Sequence, residues 1–190
     1  LPFFFYFIGI GLGFMLIEIS LMQRFIIFLG HPTYSLAVVL FTVLLASGIG
    51  AFLTDSVTTS SLRGQGLLRI SALVAVALVM GFVFDPAARA LEGQPILVRV
   101  LAAAAMLAPL GLLMGMCFPI GMKLASIRHG HLTPWLWGLN GAASVTASVM
   151  TVLISLAYNI PAAYWTGFVA YGMVLAAFVY LSKRELSAGG

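Results

Sequence analysis

The sequence predicts an all-α fold: a polytopic membrane helix bundle of about six transmembrane helices, forming a single transmembrane domain over residues 1–190. Three observations carry this reading. Hydrophobic residues make up 62% of the chain and charged residues 7%, and no soluble domain of this length can hide so much apolar surface. Apolar runs of membrane-spanning length recur along the whole chain. The short alternating segments that mark transmembrane strands are absent.

Each span has its own boundary signals. The first runs from about Pro2 to Leu29 and ends at the breaker Gly30-His31-Pro32. The second covers about Tyr34 to Thr54 and is followed by a polar loop, Asp55 to Gly66. The third covers about Leu67 to Phe84. After it, DPAARALEGQP (Asp85 to Pro95) reads as a loop with room for a short interfacial helix. The fourth covers about Ile96 to Met122 and contains Pro109 and Pro119; the basic loop Lys123 to Pro134 follows. The fifth covers about Trp135 to Tyr158. A tight turn at Asn159-Ile160-Pro161 leads to the sixth, about Ala162 to Leu181, and the tail is SKRELSAGG.

The chain starts at Leu1 inside an apolar run without a basic n-region, so it does not read as a signal peptide. It is expected to be the C-terminal piece of a longer protein. The single cysteine, Cys117, excludes an intrachain disulfide. A net charge of +4 suggests nucleic acid in a soluble protein; here the basic residues lie at span ends, where topology and lipid headgroups explain them, and no nucleic-acid partner is expected. One side of the bundle carries Arg63, Arg69, Lys123, Arg128, Lys183 and Arg184, the other Arg24, Arg89 and Arg99. That imbalance predicts both ends of the chain on the cytoplasmic side of the membrane. Trp135, Trp137, Tyr158, Tyr164, Trp165 and Tyr180 lie near span ends, as interface aromatics do.

Glu18 is the residue that needs an explanation. An ionised carboxylate near the middle of a span costs on the order of 3 kcal/mol on insertion scales. It can be protonated and donate a hydrogen bond, or pair with a cation inside the bundle. Arg24 is six residues on, roughly 9 Å along the axis and about 120° round, which is not the spacing of a direct pair. Any partner of Glu18 is therefore expected on another helix. A proton or cation site and a buried polar anchor both remain open, with Glu18, Gln23, Arg24 and Asn140 as the expected buried polar residues.

The glycines of GIGLG read as packing positions. A nucleotide-binding loop needs a preceding strand and a polar ligand, whereas hydrophobic residues flank these glycines on both sides; Gly9 and Gly13 form a small-xxx-small face. The same logic covers Ser47 to Gly50, Gly111 to Gly115, and Asn140 to Ser148, where Gly141, Ser144 and Ser148 keep one flank small and Asn140 hydrogen-bonds across helices. Pro109 and Pro119 remove backbone donors and are read as helix kinks rather than as a binding-site break.

His129 and His131 make half a zinc site with no third ligand nearby and read as a solvated loop pair. Met114, Met116 and Met122 read as packing. There is no Ser-His-Asp or Cys-His set, no P-loop and no pair of catalytic carboxylates. No catalytic residue, metal or cofactor is expected in this chain.

Three segments carry a family resemblance. GLGFMLIEISLMQRFIIFLGHPTYSLAVVL (Gly11 to Leu40) resembles the signature of bacterial spermidine synthase-like integral membrane proteins: an acid in a glycine-led helix, then a Gln/Arg pair and a helix-ending F-L-G-x-P. PLGLLMGMCFPIGMKLA (Pro109 to Ala125) and WLWGLNGAASVTASVMTVLI (Trp135 to Ile154) resemble a second and a third motif, in the same order. The resemblance implies the membrane region that lies next to an aminopropyltransferase-like domain. By it, the acid is Glu18, the polar pair is Gln23 and Arg24, and the later motifs carry Pro119 and Asn140. The glycine-rich and acidic motifs of the family's soluble part do not occur here, so aminopropyl transfer is implied only through a separate domain.

A second resemblance is to half of a major-facilitator-type transporter: about six helices, and GAFLTD (Gly50 to Asp55) ending the second span. The basic run of that motif is replaced by SVTTSSLR. The leading expectation is thus a non-catalytic module that anchors or scaffolds an attached soluble domain or other membrane subunits in the lipid bilayer. The alternatives are half of a secondary transporter for polyamines or other cations, with Glu18 as the coupling carboxylate, and an enzyme fragment whose catalytic domain lies elsewhere.

Overall fold

Six α-helices follow one another in the computed structural model, which describes residues 2–187, with side chains to Arg184. They are α1 (Pro2–Leu29), α2 (Pro32–Leu53), α3 (Leu62–Ala90), α4 (Ile96–His129), α5 (Thr133–Ala157) and α6 (Ile160–Ser187); a single 3-10 turn, Gly130–Leu132, joins α4 to α5. Five helical stretches are long and apolar enough to cross a membrane, the fourth of which, Ile96–Ala157, runs through both α4 and α5.

The helix boundaries have local causes. Gly30 takes φ +76, the left-handed conformation that closes α1, and its N–H donates to the Ile26 carbonyl at 3.0 Å. His31 is then extended, as a residue before proline prefers, and Pro32 opens α2 where no amide donor is needed. At the other short connection the Asn159 side chain accepts the Ala162 N–H at 2.8 Å and caps α6.

α1 is the axis of the bundle. It packs against α6 and α5 over most of its length and against α2 and α4 on its other flanks. Its buried residues accordingly point in every direction: Phe3, Tyr6, Phe7, Ile10, Leu16, Ile17, Leu21 and Phe25. The glycines set the closeness of this packing. Gly9 and Gly13 face α6, where an added Cβ would press on Val174 and on the Tyr171 ring, and Gly11 faces Asn140 and Ala143 of α5. GIGLG is therefore a two-sided helix contact, not a ligand loop. On the far side, α2 lies along α4: Gly111 meets Val43 and Ala46, Gly115 meets the Ser47 backbone, and Gly50 meets the Leu112 carbonyl.

The outer surface is as apolar as the inside. α2 buries one line, Ser35, Val39, Val43, Ala46 and Gly50, and leaves Phe41 70% and Phe52 75% exposed. α5 buries Leu136, Ala143, Ala147 and Thr151 and leaves Leu156 80% exposed. Such a surface belongs in lipid, and this is a membrane protein.

Three local expectations change. α3 continues through Pro86 to Ala90, so Asp85 is helical rather than a loop residue; the donor that Pro86 lacks lies in the last turns, at the polar end of the span, where water can serve the freed carbonyl. α4, which contains Pro109 and Pro119, continues past Met122 to His129, because KLASIRH ends the apolar stretch but contains no helix breaker before Gly130. On α5 the buried line is Leu136, Ala143, Ala147 and Thr151, whereas nothing lies within 4 Å of a Cβ on Gly141. The packed face is the alanine row one residue round from the expected small flank.

Beyond α2 the chain is held by a cation from α4. Lys123 Nζ donates to the carbonyls of Thr54 (2.7 Å), Asp55 (2.9 Å) and Val57 (3.1 Å). Thr54 itself donates to the Gly50 carbonyl at 3.0 Å, and Ser56 donates to that of Leu53 at 3.1 Å. The carbonyls at the end of α2 and the start of its loop thus find donors without a glycine cap.

Candidate functional site

The polar residues singled out in the sequence lie on α1 and α5, and the fold sends each to a different partner. Glu18 is buried, at 5% exposure, and its Oε1 has no hydrogen-bond partner. It lies within electrostatic reach of Tyr171 on α6, whose hydroxyl is also buried without a partner. Gln23 is half-buried and its Oε1 accepts from Ser155 Oγ of α5 at 3.0 Å. Asn140 is half-buried and its Nδ2 donates to the Phe7 carbonyl of α1 at 3.0 Å.

Arg24 is the one that finds an ion pair. At 6% exposure it reaches across to α3, and its Nη2 donates to both oxygens of Asp85 at 3.2 Å. The guanidinium lies 4.7 Å from the Phe84 ring centroid and 5.7 Å from that of Tyr164, so two aromatic faces hold its plane. Glu18 and Arg24 share a helix and point to different neighbours, as their six-residue separation requires. Three of the four side chains are therefore separate ties between α1 and its neighbours, to α5 twice and to α3 once, while Glu18 faces α6 without a hydrogen bond. They do not make one network.

The chain matches no protein-family model, no curated protein and no solved structure. The site is judged by its chemistry alone.

That chemistry is structural where it can be followed. Among the described residues no group of three or more His, Cys, Asp or Glu could hold a metal ion. The rings of His129 and His131 lie 6.2 Å apart, and His129 also meets Phe3 at 5.7 Å. Cys117 is buried and its thiol points to the Leu113 carbonyl, while its own carbonyl accepts from Tyr6 at 2.8 Å.

Sequence reasoning missed Asp85, Arg99, Lys123 and Tyr171. Asp85 hid in a segment read as a loop, although Asp-Pro after an apolar run is also compatible with a helix end. Lys123 had a usable signal: a lone lysine one residue past an apolar span, level with the end of another span that lacks a cap. Tyr171 had none, since an aromatic inside a span is ordinarily packing.

Proposed function

We propose that this chain is a non-catalytic integral membrane module of the spermidine synthase-like kind, which anchors or scaffolds an attached soluble domain or other membrane subunits. The observation that carries this reading is the setting of Glu18. A coupling carboxylate needs a route for its ion, yet Glu18 is 5% exposed. It lines neither the groove of ≈ 730 Å³ that reaches Asn140 nor the cavity of ≈ 310 Å³ beside Arg24. The three segments that carry the family resemblance support the same assignment. The first lies on α1 and the start of α2, the second on α4 and the third on α5, and α1 is the common partner of α4 and α5, through Tyr6 to Cys117 and through Asn140 to Phe7. The six basic residues at one end against three at the other support both ends of the chain being cytoplasmic, and the resemblance to a bacterial family supports a bacterial inner-membrane location.

Two measurements test the proposal. Proteoliposomes are assayed for uptake of labelled putrescine and spermidine, with wild type beside Glu18→Gln; a scaffold gives no uptake in either, and uptake that depends on Glu18 makes the chain a transporter instead. In parallel, an aminopropyltransferase-like domain co-expressed with the chain is expected in the membrane fraction. Its staying soluble argues against the anchor.

A further inference from the structure

The cavity beside Arg24 has a chemistry of its own, independent of the scaffold reading. It opens where the C-terminal ends of α1 and α3 meet the N-terminal ends of α4 and α6, at a polar face of the bundle. Arg24, Arg89 and Arg99 line it together with Asp85 and Glu92, three cationic side chains against two carboxylates.

Two of these cations hold donors that nothing satisfies. Arg24 is 6% exposed; Asp85 engages its Nη2, and its Nη1 is buried with no acceptor. Arg99 Nε is likewise buried with no acceptor. Both guanidinium groups are already fixed against rings, Arg24 on Phe84 at 4.7 Å and Arg99 on Phe28 at 5.0 Å. An orphaned buried donor is costly, and more so when charged. Preorganised planar donors with unused N–H groups are suited to an anion that offers several acceptor oxygens.

We infer that this cavity binds a phosphate group, with Arg24 Nη1 and Arg99 Nε as its inner donors and Arg89, which is exposed, at the rim. Phosphate matches the site chemically, since it offers a separate oxygen for each inner donor while Asp85 keeps Nη2. The net excess of one positive charge favours an anion over a zwitterion. The rim is apolar as well: Ile27 is 74% exposed beside Ile160 and Pro161. The phosphate can therefore come from an anionic phospholipid whose acyl chains lie along that rim, or from free phosphate in the water phase.

The test uses the delipidated full chain in detergent. Native mass spectrometry follows retention of phosphatidylglycerol and of diacylglycerol, which lacks the phosphate. Thermal unfolding with and without millimolar inorganic phosphate gives the second arm. Wild type is expected to retain phosphatidylglycerol and not diacylglycerol, or to be stabilised by inorganic phosphate. Arg99→Gln is expected to weaken that binding on the order of tenfold, as loss of one charged hydrogen bond does. Arg89→Gln, on the exposed rim, weakens it less and serves if Arg99→Gln does not fold. Displacement of the lipid by inorganic phosphate identifies free phosphate as an occupant; retention of the lipid in its presence identifies the headgroup. Equal retention of diacylglycerol overturns the proposal. So does phosphatidylglycerol or phosphate binding that neither substitution changes, or wild type that binds neither.

Discussion

Replacing Lys123 with methionine isolates one long-range tie at the end of α2. Methionine keeps most of the stem and removes the ammonium, so the carbonyls of Thr54, Asp55 and Val57 lose a common donor at 2.7, 2.9 and 3.1 Å. Hydrogen bonds to a charged group are worth about 1.5–3 kcal/mol each where water cannot replace them. Here the Asp55 bond is exposed and the other two are part-buried, so water recovers much of the loss. A cation at a helix C-terminus adds up to about 2 kcal/mol in a partly buried setting. Weighing the part-buried bonds against that recovery gives a net loss of about 2–3 kcal/mol. In a chain of this size each kcal/mol moves the midpoint by about 2–4 °C, which amounts to roughly 4–12 °C. Thermal unfolding in mild detergent, followed by far-UV circular dichroism, measures it. Lys123→Arg should recover part of the loss, because it restores charge with a different donor geometry. A Lys123→Met protein within about 0.5 kcal/mol of wild type would refute the view that this lysine closes the α2 end.

Three further outcomes are expected. A Cβ at Gly115 would overlap the Ser47 backbone, so Gly115→Val should part α2 from α4 and cost about 1–3 kcal/mol or more; Gly138→Val, with nothing within 4 Å, should cost less than about 0.5 kcal/mol in the same unfolding assay. Glu18→Leu removes an oxygen that makes no hydrogen bond and should leave stability unchanged or raise it by up to about 2 kcal/mol; a clear loss in chemical denaturation would mean that the carboxyl has a partner. Asn140→Leu breaks the bond to the Phe7 carbonyl at 3.0 Å, yet that carbonyl lies within α1 and keeps its helical acceptor role. The cost should stay near 0.6 kcal/mol, the average for such bonds in a membrane bundle, as measured by steric trapping in bicelles.

Span positions were legible because lipid imposes a single rule, a continuous apolar stretch of sufficient length. Helix ends were less so, since a helix outlasts its span wherever the next residues tolerate α conformation, as KLASIRH does after Met122. The glycine contacts could be recognised as packing but not assigned to partners: nothing local says that Gly11 turns to α5 while Gly9 and Gly13 turn to α6. The same limit hid the partner of Arg24, which stands sixty-one positions away in Asp85. On α5, GAASVTAS offers two adjacent rows of small residues, and only the surface of α1 decides that Ala143 and Ala147 face inward. Side-chain chemistry named the polar residues, and tertiary geometry alone decided which of them would be satisfied.

The central place of α1 has a consequence for how the molecule is made. Gly13 lies against Tyr171 of α6, a residue that leaves the ribosome 158 positions later. At about 5–20 residues per second that delay is roughly 8–30 s. Throughout it the helix that becomes the hub must wait with its acid unsheltered by α6, so early retention at the insertion machinery, or a chaperone that holds it there, would govern how much protein reaches its mature state.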